Sequence, residues 1–201
     1  MKPTLSSLRL FPVLAFAALL SWPVMGKKEE PQANLLFMKG RQLVLEGEYE
    51  KAIPLLEKAI VGDPENAFIN HQLSELYLRT GKLERAEVLA RKALEKDSAN
   101  VEYLATLGGI LAANRKFDEA KEQYAKINSL DPGNQKAGLL IGILEAEAGN
   151  LDAGAKTLTK AIEESEAEGA DIDVALFNKV GDLTLRQGRV ADAVTYYERA
   201  V

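Results

Sequence analysis

Residues 67–100 read AFINHQLSELYLRTGKLERAEVLARKALEKDSAN. Leu73, Leu76 and Tyr77 place apolar side chains at i, i+3 and i+4, the stripe of an amphipathic helix. Gly81 interrupts the pattern, and Leu83, Ala86, Leu89, Ala90, Ala93 and Leu94 resume it as a second stripe. Asp97-Ser98-Ala99-Asn100 closes the stretch with residues suited to capping the helix that follows. The stretch therefore predicts two helices joined by a tight turn.

The same unit recurs on both sides. Gly40, Ser74, Gly108, Gly142 and Gly181 keep step, with three intervals of 34 residues and a last one of 39. Ala52, Ala86, Ala120, Gly154 and Ala193 follow in the same register, as do Ala59, Ala93, Ile127, Ala161 and Ala200. A fixed period of this size marks stacked supersecondary units, each in contact mainly with its neighbours. The units are 33–66, 67–100, 101–134, 135–173 and 174–201. Glycine recurs at the turn as Gly47, Gly81, Gly149 and Gly188, where it fits a left-handed residue that ends the first helix. Arg115 holds that place in the third unit and follows Asn114; the turn is expected to survive there. Asp63-Pro64-Glu65-Asn66 and Asp131-Pro132-Gly133-Asn134 close two further units, since proline cannot continue a helix and Asp and Asn cap the next. Small residues in step predict close approach of the paired helices, so a bulky side chain there would force them apart.

This pattern resembles the tetratricopeptide repeat, whose 34-residue unit prefers small residues at positions 8, 20 and 27. It also favours Leu or an aromatic at 11 and 24, and Pro at 32. The first unit supplies Gly40, Leu43, Ala52, Leu56, Ala59 and Pro64 at these places, and the third Gly108, Leu111, Ala120, Tyr124, Ile127 and Pro132. The second departs at Ser74, Ala90 and Ser98. The fourth has Glu145 at position 11, Gly154 at 20 and no boundary proline; the fifth has Thr184 at 11. The resemblance implies an all-α, right-handed superhelical solenoid over residues 33–201. It also implies a concave groove lined by first-helix positions 2, 5, 9, 12 and 13.

Carried over by position, that groove takes Asn34, Phe37, Arg41, Val44 and Leu45 from the first unit and Phe68, His71, Glu75, Leu78 and Arg79 from the second. The third gives Glu102, Ala105, Gly109, Ala112 and Ala113. The fourth gives Lys136, Leu139, Ile143, Ala146 and Glu147, and the fifth Ala175, Asn178, Asp182, Leu185 and Arg186. The candidate partner-binding residues are Phe37, Arg41, Phe68, His71, Glu75, Arg79, Glu102, Lys136, Asn178 and Arg186. Aromatic anchors with cations at one end and a small, smooth middle suit a helix or extended peptide on apolar ground. Against that reading, Phe37 and Phe68 are equally read as buried by the next repeat or by the tether. Arg41, Glu75 and Arg79 are equally read as pairing with one another at helical spacing. His71 reads as a surface or packing histidine. The Lys and Asn clamp by which relatives of this family hold a chaperone's terminal carboxylate is not matched, because positions 5 and 9 hold Phe37, His71, Ala105, Arg41, Glu75 and Gly109.

Residues 1–26 differ from the rest. Lys2 and Arg9 precede the apolar run Leu10–Leu20, and Val24 and Gly26 are small residues placed for cleavage after Gly26. That is the layout of a secretory signal peptide, with an apolar core short of the roughly 20 residues of a membrane span. The rival is an uncleaved inner-membrane anchor over residues 5–25. Residues 27–32 read as a polar tether. No cysteine is present, so disulfides, thiol nucleophiles and a lipoprotein anchor are excluded. Residues 1–26 hold two of the 25 basic residues and none of the 30 acidic ones, leaving a mature formal charge of −7. An acidic exported chain does not suit nucleic acid, which requires a basic stripe.

Catalytic constellations are missing. His71 is the one histidine, no Gly-x-Ser-x-Gly elbow occurs, and Gly81-Lys82 is followed by Leu83, not by the Ser or Thr of a phosphate loop. No catalytic residue, cofactor or metal is expected. The five extra residues before Val174 predict a longer, acidic second helix in the fourth unit, ending near Gly169. Val201 falls inside the second helix of the fifth unit, where Val190, Val194 and Tyr197 await a cover; the natural chain is expected to continue. The expectation is a non-catalytic interaction scaffold of the bacterial cell envelope, periplasmic, with a protein or peptide partner whose identity is not written in the chain. Membrane contact is expected only through an uncleaved N-terminal segment. The alternative is the targeting arm of a longer envelope enzyme, or of polysaccharide or secretion machinery, continuing beyond Val201.

Overall fold

The computed structural model describes residues 31–132, 134–167, 169 and 172–201. The expected signal segment 1–26 and most of the tether lie outside the described residues. Among the described residues ten helices follow one another: α1 (Pro31–Leu45), α2 (Tyr49–Ile60), α3 (Ala67–Arg79), α4 (Leu83–Lys96), α5 (Val101–Ala113), α6 (Phe117–Leu130), α7 (Gln135–Glu147), α8 (Leu151–Ala167), α9 (Val174–Arg186) and α10 (Val190–Arg199). Each odd-numbered helix packs most extensively on the helix that follows it, and each pair packs on the next. The described chain is thus an all-α solenoid of helix pairs in the predicted register. The tether is corrected at its end: α1 starts at Pro31, so the tether's last two residues are helical. Proline is tolerated at a first helical position because its missing N–H would have no helical partner there.

Local chemistry accounts for the boundaries. Gly81 has φ +72, and beyond it the Lys82 N–H bonds the Tyr77 carbonyl at 2.8 Å, closing α3 and reversing the chain. Arg115 holds the same left-handed geometry at φ 59 and keeps the same bond, from Lys116 N–H to Leu111 O at 2.8 Å. The expected turn therefore survives without glycine. Asn66, Asn100 and Asn134 each accept hydrogen bonds from backbone N–H groups in the first turn of the next helix. Each such cap is worth about 1 kcal/mol.

Packing explains the small residues. A methyl group on Gly108 would stand 2.8 Å from the Tyr124 ring, and one on Gly181 2.6 Å from the ring of Tyr197. The glycines are where the large residue of the second helix lies against the first. One apolar cluster runs from α2 to one side of α7, with Leu56, Leu73, Leu104, Ile110 and Leu111 almost fully buried. A second starts on the other side of α7 and runs to α10 through Leu158, Ile162, Val180 and Leu183. Helix α8, at 17 residues, is the longest described and carries the predicted acidic extension. Among the described residues, no helix is long and apolar enough to cross a membrane.

Candidate functional site

Among the described residues the backbones of the first helices α3 and α5 approach closely, whereas second helices meet one another through long side chains. First helices therefore line the inner side of the stack, where the groove was expected. At its N-terminal end the rings of Phe37 on α1 and Phe68 on α3 meet edge to face, 5.7 Å between centroids at 63°. The Arg41 guanidinium lies 5.9 Å from the first centroid and 6.0 Å from the second. Phe68 remains 44% exposed, so this group closes the seam between two repeats and still presents ring surface to solvent. Cation–ring contacts at such exposure contribute about 0.5–1 kcal/mol each.

Arg79 and Glu75 do not pair. The Arg79 guanidinium rests over Tyr49 at 5.6 Å, and Glu75 accepts from Gln72 Nε2 at 3.1 Å. Tyr49 was missed from sequence. Its only signal is an aromatic residue two places after the turn glycine, a place that the pattern does not assign to the groove. Arg79 is exposed, Glu75 half-buried, and Glu102, Lys136, Asn178 and Arg186 are exposed on α5, α7 and α9. Between these charged ends the floor is Ala105, Gly109, Ala112, Leu139 and Ile143, all half-buried.

His71 is a correction. It is 1% exposed and unavailable to a partner. Its ring lies 4.7 Å from that of Tyr103, and Nε2 is 2.9 Å from Thr106 Oγ1. The Ser74 hydroxyl donates to its carbonyl at 2.6 Å. Position 5 of the second unit is covered because α5 supplies a ring and a hydroxyl against it. Ala146, expected along the groove, is likewise buried at 1% and belongs to the second apolar cluster. Glu147 pairs with Lys179 at 3.5 Å across α7 and α9, and Asp182 accepts from the Tyr197 hydroxyl at 2.7 Å. The groove's charges at the C-terminal end are thus partly satisfied within the protein. No group of His, Cys, Asp or Glu among the described residues is placed to hold a metal ion.

Helix pairs in a 34-residue register, stacked so that first helices make an inner surface, define a helical-repeat protein of the interaction-module kind. The chain belongs to the tetratricopeptide repeat family, whose models match residues 43–110, 101–134 and 139–201. It is 33% identical over 130 residues to anaphase-promoting complex subunit 7 of Mus musculus, covering 63% of this chain and 23% of that protein. It is 25% identical over 181 residues to human RNA polymerase II-associated protein 3, covering 86% of this chain and 27% of the relative. The chain therefore spans about a quarter of the length of these curated relatives. Among solved structures, MamA residues 41 to the end from Desulfovibrio magneticus RS-1 superposes with a TM-score of 0.75 at 15% identity, covering 86% of this chain and 94% of the other. A tetratricopeptide repeat protein from Parabacteroides merdae gives 0.72 at 23% identity, covering 91% and 68%. At these identities the structures speak for the fold.

Proposed function

We propose that the protein is a non-catalytic scaffold of the bacterial cell envelope that holds a peptide or helix of a partner protein in its concave groove. The observation that carries this reading is the ring-and-guanidinium group of Phe37, Phe68 and Arg41, set beside a floor of small and aliphatic residues. Aromatic and arginine anchors over well-packed apolar ground are the usual energetic centres of protein interfaces. The names of the relatives, a subunit of a complex and a polymerase-associated protein, fit the same use of the repeat. Preorganisation is the mechanism: paired helices hold the groove open, and the ordering entropy falls on the partner segment. The envelope assignment rests on the signal-like layout of residues 1–26, with the periplasm as the compartment.

Capture from bacterial envelope extract tests the reading. The chain carrying Phe68→Ala and Arg79→Glu is expected to lose the proteins retained by the unaltered chain while keeping its helical circular dichroism. Equal capture by a folded double variant would discredit the groove.

A further inference from the structure

Between the second helices α2 and α4, over α3, lies a notch of about 620 Å³ on the side of the stack away from the groove. Its floor is Leu73 and the ring of Tyr77, and its walls are Ile60 on α2 and Val88 and Leu89 on α4. Register makes this notch unlike its successors. One repeat later, Glu122 and Gln123 stand where Val88 and Leu89 do, and Arg91 bonds Glu119 at 2.6 Å from α4 to α6. In the last such position Thr159 and Tyr196 bond at 3.2 Å from α8 to α10. Across the first notch Arg85 reaches Glu57 only at 4.0 Å, and the Lys82–Glu50 pair stands at its rim. Val88 stays 57% exposed, so the fold builds an apolar wall there and places nothing on it.

The charges around the rim are not equivalent. Arg85 lies over the Tyr77 ring at 5.7 Å, and Lys82 pairs with Glu50 at 3.2 Å. The Tyr77 hydroxyl donates to Glu57. Glu84, on the first turn of α4, makes no ion pair among the described residues and borders the notch. A free carboxylate beside an open aliphatic wall recognises an apolar side chain with a cation next to it. Because Val88 is half open to solvent, a side chain presented by a protein segment fits better than an enclosed small molecule. The acidic excess of the chain favours the same basic partner.

We infer that this notch is a second docking site, separate from the concave groove, for a basic amphipathic segment of a partner protein. It seats a leucine-sized side chain against Val88 and Leu73 and an ammonium or guanidinium beside Glu84. The probe is a fluorescein-labelled amphipathic peptide of leucines and lysines, read by anisotropy with the full chain, against the same peptide with glutamates for lysines. The lysine peptide is expected to bind at least about tenfold more tightly than the glutamate peptide. Val88→Lys should weaken it roughly tenfold and Glu84→Gln about threefold, with Phe68→Ala in the groove leaving it unchanged. Glu84→Lys should shift preference toward the glutamate peptide. Failure of the lysine peptide to bind overturns the inference. So does equal binding of both peptides, indifference to Val88→Lys in a folded protein, or loss on Phe68→Ala alone. If Val88→Lys reduces helicity, the exposed Glu84→Lys variant decides.

Discussion

Gly154 on α8 and Gly138 on α7 respond oppositely to one added methyl group. A Cβ on Gly154 would lie 2.7 Å from the Gly142 carbonyl oxygen and 2.9 Å from the Ala146 amide nitrogen. These are backbone atoms that cannot rotate away, so the two helices must separate. Gly154→Ala is expected to destabilise by about 1–2 kcal/mol, an overpacking cost only partly offset by alanine's better helix propensity. A Cβ on Gly138 meets nothing within 4 Å. Gly138→Ala therefore keeps only the propensity gain and is expected to stabilise by about 0.5–1 kcal/mol. Urea unfolding of both variants measures the two signs together; a loss for Gly138→Ala would refute the packing argument. The sequence already separates this pair, because Gly154 falls in the repeating small-residue series and Gly138 does not. It could not place His71, whose cover comes from Tyr103 and Thr106 in the next repeat. A positional pattern assigns a face to a residue but is blind to what the neighbouring unit lays over that face.

At the scale of elements, Glu87 ties α4 to the turn between α5 and α6. It accepts from Lys116 at 2.8 Å, from Arg91 at 2.9 Å and from Asn114 at 3.0 Å, the first and last from the turn between α5 and α6. Burial pushes its carboxyl upward, but the hydrogen bonds from Lys116, Arg91 and Asn114 outweigh it and hold the group below its ordinary value. A carboxylate depressed in the folded state adds stability above its unfolded value and loses it as pH falls through the folded one. Glu87→Gln is expected to cost roughly 1–2 kcal/mol at neutral pH, with most of the charge-assisted bonding gone. The gap in Tm between variant and parent should close as pH drops through and below the ordinary carboxylate range; melts at a series of pH values check it, and a constant gap would deny the linkage. Helices and turns were legible because each is fixed by local chemistry: a stripe, an Asn cap, a left-handed residue. Even Arg115 was legible, since the register located the turn without a glycine. The Glu87 contacts were not, because they join residues 27 and 29 positions apart whose pairing depends on how two repeats are rotated against each other.

At the scale of the molecule, the array is nearly one-dimensional, and its stability is expected to vary along its length. The first apolar cluster links α2 through α7, while the second begins on the far side of α7 and ends with partly buried Tyr196 and Ala200. Helix α10 buries Ala193, and Val190 and Val194 are 58% and 48% exposed. Repetition made the architecture readable, since residues that pack recur in every unit. The binding surfaces were read only in outline, because what distinguishes them is what does not recur: the Phe37 and Phe68 pair in the groove, or Val88 where the next repeat has Glu122. The same asymmetry sets the dynamics. Segments with few buried contacts open locally at low free energy, whereas those held on two sides open only with global unfolding. Native-state hydrogen exchange is therefore expected to show the slowest amides in α3 through α6, each packed between neighbouring helices. Amides of α10 should exchange through small, denaturant-insensitive openings, and those of α8 and α9 through an intermediate unit bounded at α7. Uniform protection across all described helices would mean that the two apolar clusters act as one, and the boundary at α7 would then have no energetic meaning.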